Sequence, residues 1–239
     1  RNAYINILKI GSTRKRAMGK RAERGSFLVN ADDFGLTPFI NKGIIEAVEK
    51  GAVNSVSVVA NGGALDEAVT YIKSHPDLKA GIHFTLIMEK PVAEARMLPS
   101  LIARDGRFHR DYNTFIREYM KGHINLYEVK IELGAQVKKL LDMGLTLSHC
   151  DSHQHLHLLK KISFIILRLC HSYWIPRIRI VNEPPSLGYI GRFIPLMAMK
   201  YLSCRLRQKA RLYNIDTTDK FFGFNTSMNV NEKVIKKAL

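Results

Sequence analysis

Three short apolar runs in this chain each break off into ionisable residues, and that repetition restricts the fold more than any other feature. Leu28-Val29-Asn30 runs into Ala31-Asp32-Asp33-Phe34-Gly35, and Ala80-Gly81-Ile82 runs into His83. Thr146 to Cys150 runs into Asp151-Ser152-His153-Gln154-His155-Leu156-His157. Helical patterns separate these runs. Short apolar strands alternating with helices predict a parallel sheet covered by helices, either closed as a barrel or open. In both cases the C-terminal strand ends gather at one face, so sequence-distant carboxylates and imidazoles converge there.

The elements follow from local chemistry. Ser26 to Asn30 is the first expected strand. Thr37 can cap a helix that carries Pro38 in its first turn and Ile40, Ile44, Ala47 and Val48 on one face, with Gly51 as its stop. Ser55 to Ala60 predicts a strand, Ala64 to Ser74 a helix and Lys79 to Leu86 a third strand. Pro91 to Asp111 reads as an excursion, either a cover over the site or a surface insertion. A helical hairpin or a broken long helix is expected over Thr114 to Met143, helices over Ile162 to His171, Phe193 to Arg207 and Asn231 to Leu239, and a strand over Arg177 to Val181.

Four of the nine histidines fall between residues 148 and 157. On an extended chain His149, Asp151, His153, His155 and His157 share one face, until the strand gives way to a loop or first helical turn. Burying the adjacent Asp32 and Asp33 is expensive without a counter-charge, and a divalent cation supplies one. An aspartate with two well-separated histidines, and positions left for water, suits zinc or another borderline ion in a catalytic site. Cys150, Cys170 and Cys204 lack a C-x-x-C pairing, and their odd number argues against a complete disulfide framework.

With 239 residues and 46% hydrophobic content, one domain can bury roughly 70% of its unfolded surface. Neither a signal-peptide pattern nor an apolar run of about 20 residues is evident, so the expectation is a soluble, cytoplasmic protein. Lys plus Arg number 37 against 21 Asp plus Glu, a net charge of +16. Residues 1 to 25 hold eight of those bases against Glu23 alone, and are expected to form a basic terminal extension beside a single domain over 26 to 239. No nucleic-acid motif accompanies the charge. The amphipathic Phe193 to Arg207 segment fits either an anionic, inner membrane surface or a core-facing helix with a solvated basic back.

The combined motifs Asn30-Ala31-Asp32-Asp33-Phe34-Gly35, Gly81-Ile82-His83 and His149-Cys150-Asp151-Ser152-His153-Gln154-His155-Leu156-His157 resemble the YdjC-like carbohydrate deacetylases. Asp105-Gly106-Arg107-Phe108, the Arg179 to Pro184 region and Asp219-Lys220-Phe221-Phe222-Gly223 resemble the branch associated with hopanoid biosynthesis. The resemblance implies a deformed TIM-like (β/α) barrel and metal-dependent removal of an N-acetyl group from an amino sugar or lipid-linked glycoconjugate. It assigns Asp33, His83 and His153 to one divalent ion, zinc or magnesium with manganese as a further option, and Asp32 to proton abstraction. Asp32 as an N-cap or supporting carboxylate is the bland alternative. His149, Asp151, His157, Arg179 and Glu183 are candidates for holding ligands or substrate, although a surface ion pair would also explain Arg179 and Glu183. The resemblance further implies a histidine-bearing strand past the position of Leu239. Without it the barrel is expected to be incomplete at the C-terminus, with His155 as the candidate general acid. A metal-dependent phosphoesterase, a catalytically incomplete carbohydrate-binding domain and assembly as a homodimer stay open on these residues.

Overall fold

The computed structural model describes residues 5–10, 26–109, 111–183 and 193–223. Eight strands form one curled sheet in the order β7-β6-β5-β4-β3-β2-β1-β8. From β2 (Ser26–Phe34) through β3 (Ser55–Val58), β4 (Lys79–Phe84), β5 (Cys150–Ser152), β6 (Arg177–Ile178) and β7 (Asp216–Thr217), neighbours pair in parallel. β1 (Ile5–Ile10) lies antiparallel between β2 and β8 (Lys220–Phe222). This is a deformed, incomplete TIM-like barrel. The crossovers carry helices α1 (Pro38–Glu49), α2 (Leu65–Ser74), α3 (Tyr112–Met120), α4 (Leu126–Asp142), α5 (Lys160–Ser172) and α6 (Phe193–Leu212).

The predicted cap is present: the Thr37 hydroxyl accepts from the Ile40 amide at 3.2 Å, with Pro38 opening α1. β3 and β4 bury both faces, as parallel strands between helical layers should, so the core runs continuously through Val56, Val58, Ile82 and Phe84 to Leu133, Val137 and Ile166. The broken helical pattern over 114–143 resolves into α3 and α4. Residues 231–239, expected as a helix, lie outside the described residues.

One expectation needs correction, and one open choice narrows toward an insertion. Ile5–Ile10, placed in an irregular basic extension, is a sheet strand because Ile7 and Leu8 bury to 3% and 2% exposure on opposite faces. The 91–111 excursion is packed, and none of its described residues lines the site cavity. Leu98, Leu101 and Phe108 are buried, and two α4 carboxylates pin the loop. Glu132 accepts from the Val92 and Ala93 amides, and Glu128 from the Ser100 amide and hydroxyl. Helix α6 turns Leu196, Ser203, Leu206 and Ala210 inward, the spacing of a core-facing helix. Among the described residues no helix is long and apolar enough to cross a membrane.

Candidate active site

Asp32 and Asp33 are strand neighbours that should point to opposite faces, yet both reach one cavity. Asp33 adopts φ 67° and the β2–β3 register shifts between Ala31 and Phe34. That bulge swings the Asp33 carboxylate to the side already occupied by Asp32. Two strands away, His83 and Asp151 are register partners on β4 and β5, so their side chains stand side by side. Past β5 the chain turns through a short 3-10 segment, His153–Leu158, in which Gln154 and His155 have φ 49° and 59°. The expected departure from strand parity occurs there, and it brings His153 back over Asp33.

Three groups converge. Asp33 Oδ1 lies 3.3 Å from His83 Nε2 and 3.0 Å from His153 Nδ1. His83 gives its other nitrogen, Nδ1, to Asp151 Oδ1 at 2.6 Å, which fixes the ring and turns Nε2 toward the cavity. One carboxylate and two imidazoles, with the outer nitrogen of one ring already satisfied, is a donor set that fits a borderline divalent ion. Asp32, His83 and Asp151 also cluster. That second group is already neutralised, because the Arg179 guanidinium grips Asp32 through both its terminal nitrogens at 2.7 and 2.6 Å and forms an ion pair with Asp151.

The charges follow from this geometry. Burial resists ionisation of Asp33, but hydrogen bonds and charge from His153 and His83 hold its carboxyl well below the ordinary carboxylate range. Burial likewise resists protonation of His83, yet Asp151 and then Asp33 push it up to about 10. A divalent ion on Nε2 would replace that proton, so metal uptake should release protons.

Behind the cavity runs a second layer. His149 sits behind β4, its Nε2 3.1 Å from Ser57 Oγ. Ser57 gives its proton to Asp151 Oδ2 at 2.7 Å, and the Ser148 hydroxyl lies 2.9 Å from His149 Nδ1 on the far side of the ring. Gly81, the register partner of Ser57, makes this reach feasible, since a Cβ there would lie 2.4 Å from the His149 ring. Gly81→Ala should therefore destabilise by about 2 kcal/mol and lower Tm by roughly 4–8 °C. An unchanged calorimetric melt would show that the ring has another place to go.

His157 is buried away from the cavity, with Nδ1 2.8 Å from Ser152 Oγ and Nε2 donating to the Arg179 carbonyl at 3.0 Å. Glu183 is buried outside the cavity wall. Arg179, 1% exposed, is no surface ion pair. His155 does line the cavity, edge-on to Phe221 with centroids 5.7 Å apart. Burial, reinforced by the neighbouring His157 ring and the Arg179 guanidinium, holds His155 well below its ordinary value.

Burial, partly offset by Asp151, also takes His149 and His157 down to about 4 from 6.5. Unfolding frees both rings to protonate. Their contribution to stability is complete above about pH 6.5 and disappears as pH falls toward 4, on the order of 3 kcal/mol for each ring. His83 works in the opposite sense, its contribution being full below 6.5 and lost as pH rises toward 10, so it leaves the acidic window unchanged. Urea unfolding of metal-free protein should show stability declining from pH 6.5 to 4.5. A flat profile there would contradict neutral burial of these rings.

Sequence reasoning missed Ser57, Asn30 and Asn6. Asn30 Nδ2 contacts Asp32 Oδ1 at 2.8 Å and Ser57 Oγ at 2.9 Å, while Asn6 donates to Asp32 Oδ2 at 2.7 Å. Polar residues on strands buried on both faces were the available signal for the first two. The cavity has a volume of about 490 Å³, with Asp32, Asp33, His83 and His153 at its polar end and Tyr112, Pro195, Met199 and Phe221 forming its apolar wall.

Fold and site together define a β/α-barrel protein with a candidate centre for a divalent ion. The sequence profile of the YdjC-like protein family matches residues 26–239, and the chain belongs to that family. A carbohydrate deacetylase of Geobacillus stearothermophilus is 35% identical over 170 residues, covering 70% of this chain and 65% of the relative. A carbohydrate deacetylase of Listeria monocytogenes is 41% identical over 126 residues, covering 53% of this chain and 50% of the relative. The chain thus spans about half to two thirds of these relatives' lengths. A crystal structure from Enterococcus faecalis V583, described as a proposed cellobiose-phosphate cleavage protein, superposes with a TM-score of 0.56 at 28% identity, covering 79% of this chain and 77% of that one.

Proposed function

We propose that the chain is the catalytic domain, over residues 26–239 with β1, of a metal-dependent carbohydrate deacetylase that hydrolyses the N-acetyl group of an amino sugar. The observation that carries this reading is the Asp33–His83–His153 donor set beside Asp32 at the polar end of a sugar-sized cavity. A bound divalent ion, zinc or magnesium, supplies Lewis acidity toward the acetamide oxygen and acidifies the attacking water. Asp32 accepts the proton of that water, while Arg179 and Asn30 hold its carboxylate plane. His155, kept neutral, has no second proton for the leaving amine and fits substrate contact better than general acid. Tyr112, half-buried at the cavity, offers an aromatic surface for the sugar ring.

A phosphoesterase would want a fixed cation at the phosphate, and no Lys or Arg is among the described residues lining the cavity. That favours the amide substrate. The test compares acetate release from N-acetylglucosamine and its β-1,4 dimer with phosphate release from p-nitrophenyl phosphate, each with and without chelator. Acetate lost on chelation supports the proposal. Phosphate release, or metal-dependent sugar binding with neither product, would replace it with one of the other two readings. The resemblance to the hopanoid-associated branch favours extending the acetylated panel to lipid-linked amino sugars.

A further inference from the structure

The Asp32 carboxylate is held by side chains from three strands or strand ends. Arg179 takes both oxygens and Asn30 takes Oδ1. Arg179 and Asn30 are buried at 1% and 0% exposure, and neither belongs to the cavity wall. Asn6 differs. Its Nδ2 donates to Asp32 Oδ2 at 2.7 Å, and it lines the same cavity as Asp32. It comes from β1, upstream of the residues matched by the family profile.

This placement is built into the sheet. Asn6 and Asn30 are direct register partners on antiparallel strands, so their amides stand next to each other on one face and hold opposite oxygens of Asp32. On the other side Gly223 accommodates the Asn6 amide oxygen: a Cβ at Gly223 would lie 2.1 Å from Asn6 Oδ1. The Asn6 side chain is therefore clasped between β2 and the residue that follows β8. A leucine has the same branching with bulkier ends, and would leave Oδ2 with Arg179 alone.

We propose that Asn6 is a positioning residue for Asp32, fixing Oδ2 so that the carboxylate stays aligned with the water it deprotonates, and that β1 is thereby part of the catalytic unit. The proposal rests on the reading of Asp32 as the proton acceptor. Without Asn6 the Oδ1 side would keep two donors while Oδ2 kept only Arg179, so the carboxylate would be held less firmly at Oδ2, and small misalignments of a proton acceptor are costly in rate. Asn6 does not touch the Asp33–His83–His153 donor set, so its loss should leave metal binding alone.

The test uses the full chain loaded with zinc. Asn6→Leu should lower kcat for acetate release roughly 10-fold or more. KM should stay within about 2-fold, and the visible spectrum of the cobalt-substituted protein should be unchanged. Asn6→Asp, which keeps the shape but replaces the donor with a like charge, should lose more, and Asn6→Gln should recover part of the rate. Independently of any substrate, the Asn6 side-chain amide signal in protein labelled with 15N-asparagine should shift on Asp32→Asn. Full activity of Asn6→Leu, a parallel change of kcat, KM and melting temperature, or an amide signal indifferent to Asp32→Asn would each overturn the proposal. Should Asn6→Leu fail to fold, Asn6→Asp and the amide signal decide the matter. Full activity of Asp32→Asn with an intact amide shift would instead remove the proton-acceptor reading and leave the contact standing.

Discussion

Alanine at Asp33, His83 or His153 will abolish stable metal binding, with affinity for zinc or cobalt falling by roughly 100-fold or more. Each residue supplies one donor atom, and these atoms lie within 4.8 Å of one another, so losing one leaves two, too few to compete with water. Asp32→Asn should behave differently. It leaves the donor set intact and should keep its metal while acetate release falls by about 100-fold to 10,000-fold, the range for losing a positioned acid or base. Elemental analysis after dialysis, paired with acetate release, separates the two behaviours. Full metal content in all three ligand variants would sink the assignment.

Arg179→Met will be the most destabilising single substitution at the site, costing about 3–5 kcal/mol in denaturant unfolding. Arg179 sits at 1% exposure between Asp32 and Asp151, so its removal leaves two buried carboxylates facing each other without their cation. Lysine should not restore it, because one ammonium cannot reproduce the two-point grip on Asp32. Adding Asp32→Asn and Asp151→Asn to Arg179→Met should recover most of the loss, since it was the unpaired charges that were costly. A single Arg179→Met variant within about 1 kcal/mol of the wild type would refute this electrostatic account.

The strand ends were legible because burial forces them to be apolar until the chain emerges at the site, where Asp33, His83 and His153 interrupt the pattern. The cap at Thr37 was legible because it is a local hydrogen bond. What stayed hidden depends on register. Nothing in Val56-Ser57-Val58 says that Ser57 faces Gly81, or that the missing side chain there admits His149. Arg179 reads as one of many bases until two carboxylates from distant strands are placed against it. β1 was hidden differently: the alternation of Ile5, Ile7 and the residues between is short, and the cluster of bases at residues 14 to 24 outweighed it. The left-handed backbone at Asp33 had no sequence signal, since aspartate is common in ordinary strands' terminal turns as well.

The pairing of Ile7 with Phe222 has a kinetic consequence. β1 can pair early with β2, its near neighbour in sequence, but its other edge stays open until β8, at residues 220–222, has been made and folded. Closing so long a loop is entropically slow, and contacts of this separation are gained late. The nascent protein should therefore pass through a state in which the Asp33–His83–His153 cluster is assembled while Gly223 has yet to close over Asn6. Protection of the β1 amides should lag behind that of β3 and β4 in pulsed hydrogen exchange, and the ability to hold a metal should be acquired before the ability to turn over substrate.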